Sequence, residues 1–245
     1  MKNYKITIQY DGTKYNGWQR QGNTKNTIQE KFENVLQIMC GRKTEIFSSG
    51  RTDAGVHALC QVANFKCDVN MTSGEIIGYL NQYLPEDIKV TSIEEADERF
   101  HSRLNAVSKT YEYSIATTKP DVFIRKYVYT TDKVPDVEKM RISSQKFLGT
   151  HDFKGFSSLG KTKKSTVRTI NSIDVAMDDD TIRITINGNG FLYNMVRIIS
   201  GTLYDIGIGK HDSDVIDEVF SDGERKMAGV TLPACGLKLV GVYYE

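Results

Sequence analysis

The amino-acid sequence has no long apolar run. A helix that crosses a membrane needs about 20 consecutive apolar residues, and no stretch of this 245-residue chain approaches that length. Residues 1–10 alternate polar and apolar side chains, so they lack the continuous apolar segment of a secretory signal peptide. These absences argue against a membrane protein and against a secreted protein, and they predict a cytoplasmic location.

Cysteine and histidine are scarce, with four residues of each type. Cys40, Cys60, Cys67 and Cys235 form no Cys-x-x-Cys pair, and the histidines show no spacing typical of metal ligands. The sequence therefore predicts no metal site, and it predicts cysteines that remain reduced thiols, whether buried or free. The chain also lacks a P-loop and a Gly-x-Gly-x-x-Gly motif, which argues against phosphate-donor and dinucleotide chemistry.

An excess of charge of one sign is missing, because 32 basic and 31 acidic residues leave a net charge of +1. The charges are nevertheless segregated: residues 12–29, 99–111 and 153–173 contain basic side chains and no acidic ones, whereas residues 86–98 and 212–224 are rich in acids. Such segregation permits a basic face for the phosphate backbone of a nucleic acid, although charges clustered on solvated loops would give the same pattern. The candidate RNA-binding residues are Arg20, Lys161, Lys163, Lys164 and Arg168.

Strand-like and helix-like patterns alternate in the first half of the chain. Residues 4–10 place tyrosine and isoleucine at every second position, which predicts a half-buried strand. Thr27 precedes apolar residues at helical spacing and Gly41 follows them, so a capped helix is predicted between these two residues. Further elements are predicted at residues 45–48, 61–66, 73–84 and 88–93.

The second half repeats these patterns. Residues 170–177 and 181–187 predict the two strands of a hairpin that turns at consecutive aspartates. Helices are predicted at residues 137–148 and 191–206, and strands at residues 110–116 and 237–244. We therefore predict an α+β fold with two related subdomains, at residues 1–105 and 106–245, whose sheets are mixed or antiparallel.

The polar loop at residues 48–58 has the composition of a catalytic loop. It joins two predicted strands and combines small residues with Arg51, Asp53 and His57. Small residues let a backbone approach a substrate closely, and a nearby guanidinium keeps a carboxylate ionised, as a nucleophile or general base requires. Two other interpretations stay open: Asp53 could only accept turn hydrogen bonds beside Gly55, or Asp53 and His57 could form the acid–base pair of a hydrolase.

The same loop resembles the signature of a known enzyme family. Its segment Gly-Arg-Thr-Asp-Ala-Gly-Val-His-Ala, at residues 50–58, is similar to the signature of the tRNA pseudouridine synthase A family. Further blocks similar to this family appear in the family's order, at residues 10–21, 27–29, 100–103, 109–113, 164–169, 189–197 and 236–240. A signature loop with ordered blocks across nearly the whole chain is far more specific than one short motif.

The resemblance implies a pseudouridine synthase-like fold and an isomerase that converts uridine to pseudouridine in tRNA. The family acts on the anticodon arm, around tRNA positions 38 to 40, and its members are homodimers. The reaction uses no cofactor and no metal, in agreement with the missing nucleotide and metal motifs. Recognition of an RNA arm depends mainly on shape and backbone contacts, so the acid-free segments are the expected RNA-binding surfaces.

The resemblance also implies roles for individual residues. Asp53 matches the catalytic aspartate that attacks the target nucleoside, at the ribose or at the base, and Arg51 matches a signature arginine near the flipped nucleotide. Tyr111 matches a tyrosine that stacks on the target base, Arg197 an arginine that pairs with the aspartate, and Leu237 an apolar residue that lines the pocket.

Without the resemblance, these residues are less distinctive. Tyr111 and Leu237 fit an ordinary core as well as a site, whereas Arg197 lies in an apolar segment and needs a partner if it is buried. The chain departs from the family at Leu232 and Cys235, where the family more often has alanine and a polar or basic residue. The substrate detail is therefore open at this point of the sequence.

Two alternative functions remain. An inactive RNA-binding protein of the same fold is disfavoured because Asp53, Tyr111 and Arg197 are all present, and a decaying site should lose the aspartate first. An Asp/His hydrolase is disfavoured because no serine or cysteine nucleophile motif accompanies Asp53 and His57.

Overall fold

A computed structural model of the chain describes residues 1–160 and 163–245. The chain forms two compact units: unit 1 is Met1–Val107 together with Lys238–Glu245, and unit 2 is Ser108–Leu237. The boundary expected near residue 105 lies beside this division, but the expected second subdomain also contained the closing strand, most of which belongs to unit 1. No helix among the described residues is long and apolar enough to cross a membrane.

Helices and strands alternate through the described residues, which gives the predicted α+β class. The strands are, in chain order, β1 (Lys2–Tyr10), β2 (Ile46–Ser48), β3 (His57–Cys67), β4 (Ile88–Ala96), β5 (Ala106–Ala116), β6 (Tyr129–Thr130), β7 (Gly149–Asp152), β8 (Val167–Asp178), β9 (Thr181–Gly188) and β10 (Leu237–Tyr244). The α-helices are α1 (Ile28–Cys40), α2 (Ser73–Tyr83), α3 (Val137–Ser144), α4 (Met195–Gly207) and α5 (Val215–Asp222).

The strands of unit 1 form a mixed sheet in the order β4-β1-β3-β10, and β2 also pairs with β3. β1 runs antiparallel to β3 and β4, while β10 runs parallel to β3. The alternation predicted for β1 is confirmed, since Tyr4, Ile6, Ile8 and Tyr10 are all buried. A strand that buries every second side chain leaves its intervening residues on the other face of the sheet.

The helix α1 begins and ends where its cap residues predict. The side chain of Thr27 accepts a hydrogen bond from the third backbone amide of the helix, and Gly41 follows the last turn with a left-handed φ of 66°. Ile28 and Phe32, on its apolar face, have no exposed surface. The helix prediction between Thr27 and Gly41 is therefore confirmed at both ends.

The strands of unit 2 follow the order β5-β9-β8-β7, and β6 pairs with β5 in parallel. β8 and β9 form the predicted antiparallel hairpin, and Asp179 in its turn has a left-handed φ of 50°. Aspartate is among the few non-glycine residues that adopt this conformation readily, which explains why a run of aspartates serves as the turn.

The helix predicted at residues 191–206 begins later than expected. Asn194 takes a left-handed φ of 61°, so α4 starts at Met195. The apolar residues before it pack outside the helix: Phe191 packs edge-on against Tyr111, and Leu192 is buried.

The sequence pattern also missed α5 and the short strands β6 and β7, because elements this short carry little periodicity.

The expectation of four free thiols is wrong for two cysteines. Cys40, at the end of α1, and Cys67, at the end of β3, form a disulfide with their Cα atoms 6.2 Å apart, while Cys60 and Cys235 are free. The two bonded residues are separated by 27 positions. Their proximity depends on how α1 packs relative to β3, so spacing along the chain could not predict it.

Candidate active site

The loop that carries Asp53 joins β2 to β3. The amide of Ser49 fixes its start by donating to the carbonyl of Val62 at 2.7 Å. Its tip is a turn in which the amide of Val56 donates to the carbonyl of Asp53 at 3.1 Å, and Gly55 has a left-handed φ of 78°. Asp53 is half-buried. The turn therefore holds its backbone in one place while part of the residue stays exposed.

A second loop, which leads from β1 to α1, packs against the first. The amide of Trp18 donates to the carbonyl of Thr52 at 3.0 Å, and the amide of Gly55 donates to the carbonyl of Tyr15 at 3.2 Å. Gly17 has a φ of +86°, and a Cβ at this position would lie 2.6 Å from the Thr52 carbonyl oxygen. The absence of a side chain at Gly17 thus allows the two loops to approach each other next to Asp53.

His57 anchors the second loop. The residue is buried at the first position of β3, and its Nδ1 accepts a hydrogen bond from the amide of Gly12 at 3.0 Å. The same Nδ1 lies 3.2 Å from Asp11 Oδ1, directly after β1. His57 therefore joins the start of the second loop to the start of β3.

In unit 2, Tyr111 lies on β5 and is buried, with 7% of its surface exposed. Its ring meets the ring of Phe191 edge-on, at a centroid distance of 5.0 Å and an interplanar angle of 78°. Aromatic pairs favour this arrangement because the positive edge of one ring faces the negative face of the other. The contact holds the Tyr111 ring in a defined orientation.

Arg197 lies in the first turn of α4 and is half-buried. Its Nε donates to the carbonyl of Leu232 at 2.7 Å, and its Nη1 donates to Asn194 Oδ1 at 2.8 Å. A guanidinium has more N–H donors than these two bonds use. Two neutral acceptors therefore hold the side chain in place, and neither of them balances its positive charge.

The segment after Leu232 is fixed to β5 by Tyr113. The Tyr113 hydroxyl donates to the carbonyl of Pro233 at 2.7 Å, and a Cβ on Gly236 would lie 2.7 Å from the Tyr113 ring. Burial raises the pKa of Tyr113, so its hydroxyl remains a donor. Leu237, next in the chain, is buried with 6% of its surface exposed.

The two departures from the family pattern lie in this segment. Leu232 is buried, and its carbonyl accepts the Arg197 hydrogen bond. The Cys235 thiol donates to the carbonyl of Val128 at 3.5 Å, and burial raises its pKa while the charge of Arg197 opposes that shift. Both residues therefore border the arginine that the resemblance assigns to the site.

Comparison with known proteins identifies the chain. Residues 6–105 and 144–245 match the profile of the family described as tRNA pseudouridine synthase. The chain belongs to this family. It is 48% identical over 247 residues to tRNA pseudouridine synthase A of Bacillus sp. (strain KSM-64). It is 44% identical over 245 residues to tRNA pseudouridine synthase A 2 of Bacillus cereus (strain ATCC 14579), and 45% identical over 245 residues to the protein of that name from Clostridium perfringens. Each of these comparisons covers 100% of both chains.

Membership in the tRNA pseudouridine synthase family confirms the resemblance on which the functional prediction rested. It also confirms the prediction of an RNA-modifying isomerase, since a pseudouridine synthase rearranges uridine without changing its composition. The roles of individual residues stay predictions. Unit 1 brings Arg51 and Asp53 together in one loop, with Arg51 exposed. Unit 2 fixes Tyr111, Arg197 and Leu237 through the contacts on and around β5.

Arg20, a candidate RNA-binding residue of this synthase, is engaged by two carboxylates. Its Nε lies 2.7 Å from Glu30 Oε2, and its Nη1 lies 3.0 Å from Glu33 Oε2. Both acids belong to α1 and are buried, with 7% and 6% of their surfaces exposed. Arg20 therefore ties the second loop to α1, and its charge is largely balanced before any phosphate approaches.

The other candidate RNA-binding residues lie before and at the start of β8. Lys161 lies outside the described residues, while Lys163 and Lys164 are exposed. Arg168 is half-buried, and its Nη1 donates to the carbonyl of Ser165 at 3.0 Å, while burial lowers its pKa. The Arg168 guanidinium therefore serves the backbone of the loop before β8.

Proposed function

We propose that this chain isomerises uridine to pseudouridine in the anticodon arm of tRNA, around positions 38 to 40, with Asp53 as the nucleophile. The observation that supports this best is the position of Asp53. It is half-buried at the tip of a turn, and backbone hydrogen bonds join the loop that contains this turn to a second loop. The chain also belongs to the tRNA pseudouridine synthase family. An aspartate that only closed a turn would not require a second loop packed against it.

The chemistry requires no reagent beyond the protein and the RNA. The Asp53 carboxylate forms a bond to the target nucleoside, at the ribose or at the base, and the bond between N1 and C1′ breaks. The uracil rotates, a bond between C5 and C1′ forms, and the bond between Asp53 and the nucleoside breaks. The C5 proton leaves, and N1 takes up a proton. Product and substrate therefore have the same composition, and the carboxylate is regenerated.

The residues of unit 2 have proposed roles around this nucleophile. Tyr111, held edge-on by Phe191, stacks on the target base, and Leu237 lines the pocket. Arg197 donates its remaining N–H groups to the Asp53 carboxylate and keeps it ionised and oriented. Arg51, exposed beside the nucleophile, contacts the flipped nucleotide.

The proposal also includes how the enzyme meets its substrate. Lys163 and Lys164 contact tRNA phosphates, with Arg168 behind them. The chain acts as a homodimer in the cytoplasm, which the family resemblance supports. The chain has local basic segments and almost no net charge. Two copies with such segments fit the recognition of an RNA arm through its shape and phosphate backbone.

The experiment that tests this function maps pseudouridines in tRNA from cells with and without the chain. We expect pseudouridine to disappear from the anticodon arm in the deletion strain and to return when the wild-type chain is supplied. Purified chain should also form pseudouridine in unmodified tRNA transcripts. An unchanged map in the deletion strain, together with an inactive purified chain that still binds tRNA, would instead support an RNA-binding protein without catalytic activity.

A further inference from the structure

A chain of buried polar side chains lies directly beneath the Asp53 loop. Ser49 Oγ donates to Gln61 Oε1 at 2.7 Å, and Gln61 Nε2 donates to the carbonyl of Gly50 at 2.9 Å and to the Tyr10 hydroxyl at 3.4 Å. The Tyr10 hydroxyl in turn lies 2.8 Å from Thr52 Oγ1. Ser49 and Gln61 have no exposed surface, and Tyr10 and Thr52 are each 5% exposed.

The Tyr10 hydroxyl links Gln61 to Thr52. Its oxygen accepts from Gln61 Nε2, and the hydroxyl groups of Tyr10 and Thr52 share a further hydrogen bond in which either can donate. Burial raises the pKa of Tyr10 to about 12, so the phenol keeps its proton across the pH range of catalysis. A single amide on β3 therefore reaches both ends of the segment before Asp53: Ser49 and Gly50 directly, and Thr52 through Tyr10.

The strand geometry provides the room for this contact. The pairing of β1 with β3 shifts in register between Ile8, opposite Gln61, and Tyr10, opposite Ala58. A register shift of this kind adds an unpaired residue to one strand and re-aims the neighbouring side chains. The irregularity lies at the end of β1, where Tyr10 reaches towards Thr52.

We propose that Gln61 and Tyr10 are positioning residues for pseudouridine formation. They hold residues 49–52 and thereby fix the backbone that carries Asp53. This rests on the proposed role of Asp53 as the nucleophile. Apolar side chains of the same shape can stabilise a fold about as well as a buried polar network does. A buried network with its hydrogen bonds made does hold its members in one defined geometry. The side-chain hydrogen bonds of Gln61 to Ser49 and Gly50 end on the Asp53 loop, and its third ends on the tyrosine that contacts this loop.

Asn64 provides a matched control on the same strand. It is also a buried amide, with 3% of its surface exposed. Its Nδ2 donates to Asn3 Oδ1 at 3.1 Å, and its Oδ1 accepts from the amide of Ser102 at 2.9 Å. Loss of the Asn64 side-chain amide should therefore lower stability as loss of the Gln61 amide does, without loosening the loop that carries Asp53.

The test compares Gln61→Met with Asn64→Leu, each of which keeps most of the side-chain volume. The full-length variants are assayed for the single-turnover rate at saturating tRNA, for tRNA affinity, and for the melting temperature. A misplaced reacting group commonly lowers a rate about 100-fold. We expect Gln61→Met to lower the rate about 10- to 100-fold with tRNA affinity nearly unchanged, and Asn64→Leu to lower the melting temperature with a near-normal rate.

Two milder changes decide the matter if Gln61→Met does not fold. Tyr10→Phe removes one hydroxyl and keeps the ring, and Thr52→Val removes the hydroxyl it contacts. Each should lower the rate at saturating tRNA, their combination should lower it little further, and Thr52→Ser should recover most of what Thr52→Val loses. Additive rate losses, or rates in Tyr10→Phe and Gln61→Met that fall no more than in Asn64→Leu, would overturn the positioning role. If Asp53→Asn remained active, the nucleophile assignment would fail instead, so the two failures are distinguishable.

Discussion

In the proposed chemistry, Arg197 supplies the positive charge that keeps the Asp53 carboxylate ionised. Its two resolved hydrogen bonds, to Leu232 and Asn194, end on neutral oxygens. A half-buried guanidinium with neutral partners is a strong attractor for a carboxylate, because desolvation strengthens the interaction of charges. The sequence suggested this need, since an arginine in an apolar segment requires a partner, and the structure adds how the guanidinium is oriented.

Arg197→Leu should therefore lower activity and change its pH dependence. A carboxylate that loses a cationic neighbour is harder to ionise, so the acidic limb of the pH–rate profile should move to higher pH. A carboxylate that is less ionised near neutral pH is a weaker nucleophile there, so the rate near neutral pH should fall strongly. The measurement is the single-turnover rate across pH at saturating tRNA.

Arg225→Leu is the control for this prediction. Arg225 is also half-buried and lies in unit 2, where it donates to Thr231 Oγ1 at 2.8 Å and to the Ala228 carbonyl at 3.4 Å. Its replacement should lower stability without moving the pH profile. A profile that is unchanged in Arg197→Leu, or shifted equally in both variants, would show that Arg197 does not act on the nucleophile.

The site residues differ in how far the sequence could predict them. Asp53 and Arg51 stand out in a loop of small residues, so composition alone made them candidates. Tyr111 and Leu237 were predicted only through the family resemblance, because a buried tyrosine or leucine has many ordinary uses in a core. Gln61 carried no signal at all, because its proposed role rests on hydrogen bonds to two separate segments that only the folded chain brings together.

At the scale of elements, the approach of the two loops around Asp53 depends on Gly17. Gly17→Ala would add a Cβ 2.6 Å from the Thr52 carbonyl oxygen, on a backbone with a φ of +86°. The loop before Asp53 must move to accept it, so we expect a clear fall in the single-turnover rate. Strain of this kind costs about 1–3 kcal/mol, which for a chain of this size lowers the melting temperature by about 2–4 °C per kcal/mol.

Gly41→Ala separates backbone strain from the clash. Gly41 has a φ of +66°, and a Cβ there would meet nothing within 4 Å. This variant should lose stability through the left-handed backbone alone and keep its catalytic rate. If Gly17→Ala were as active as Gly41→Ala, the close contact between the two loops would be unnecessary for catalysis.

The disulfide that joins the ends of α1 and β3 predicts a redox-dependent stability. Cys40 and Cys67 are separated by 27 residues, and closing a loop of that length stabilises a fold by about 3–4 kcal/mol. Cys40→Ser should therefore lower the melting temperature by roughly 10 °C in the absence of reductant. Addition of a reductant should remove most of the difference from the wild type.

Cys60→Ser is the matched control, because Cys60 is a free cysteine of β3. It should melt near the wild-type temperature under both conditions. A wild-type melting temperature that does not respond to reductant would contradict a stabilising disulfide.

The elements themselves were predicted well wherever their signals were local. Cap residues fixed both ends of α1, and alternation fixed β1 and the hairpin of β8 and β9. The start of α4 was misplaced because Phe191 and Leu192 are apolar in the helical pattern yet pack before the helix begins. The disulfide was missed because it depends on packing between distant segments, which periodicity does not report.

At the scale of the whole molecule, the net charge is only +1, although basic residues are concentrated locally in acid-free segments such as residues 153–173. Each phosphate contact that is lost flattens the plot of log affinity against log salt by slightly under one unit, about 0.7–0.9. Replacing Lys163 and Lys164 with glutamate should thus weaken tRNA binding mainly at low salt and give a visibly shallower slope. The rate at saturating tRNA should change much less, because neither lysine is proposed to touch the reacting base.

The control for this prediction carries the same change of charge elsewhere. Lys139 and Lys226 are exposed lysines of unit 2 outside the acid-free segments. Their replacement with glutamate should leave the salt slope close to that of the wild type. Equal slopes for the two double variants, measured by filter binding across several salt concentrations, would show that Lys163 and Lys164 lie on a solvated loop without RNA contacts.

The most direct test of the whole mechanism is Asp53→Asn, assayed by release of tritium from C5 of labelled uridine in tRNA. C5 loses its hydrogen only when the new bond to C1′ forms, so the release counts product. Asparagine keeps the volume of the side chain and its ability to accept turn hydrogen bonds, but it removes the nucleophilic carboxylate. We predict no release above background, with tRNA affinity within a few-fold of the wild type and an unchanged melting temperature. Retention of more than a few per cent of wild-type turnover would contradict Asp53 as the nucleophile and leave it the role of a turn residue.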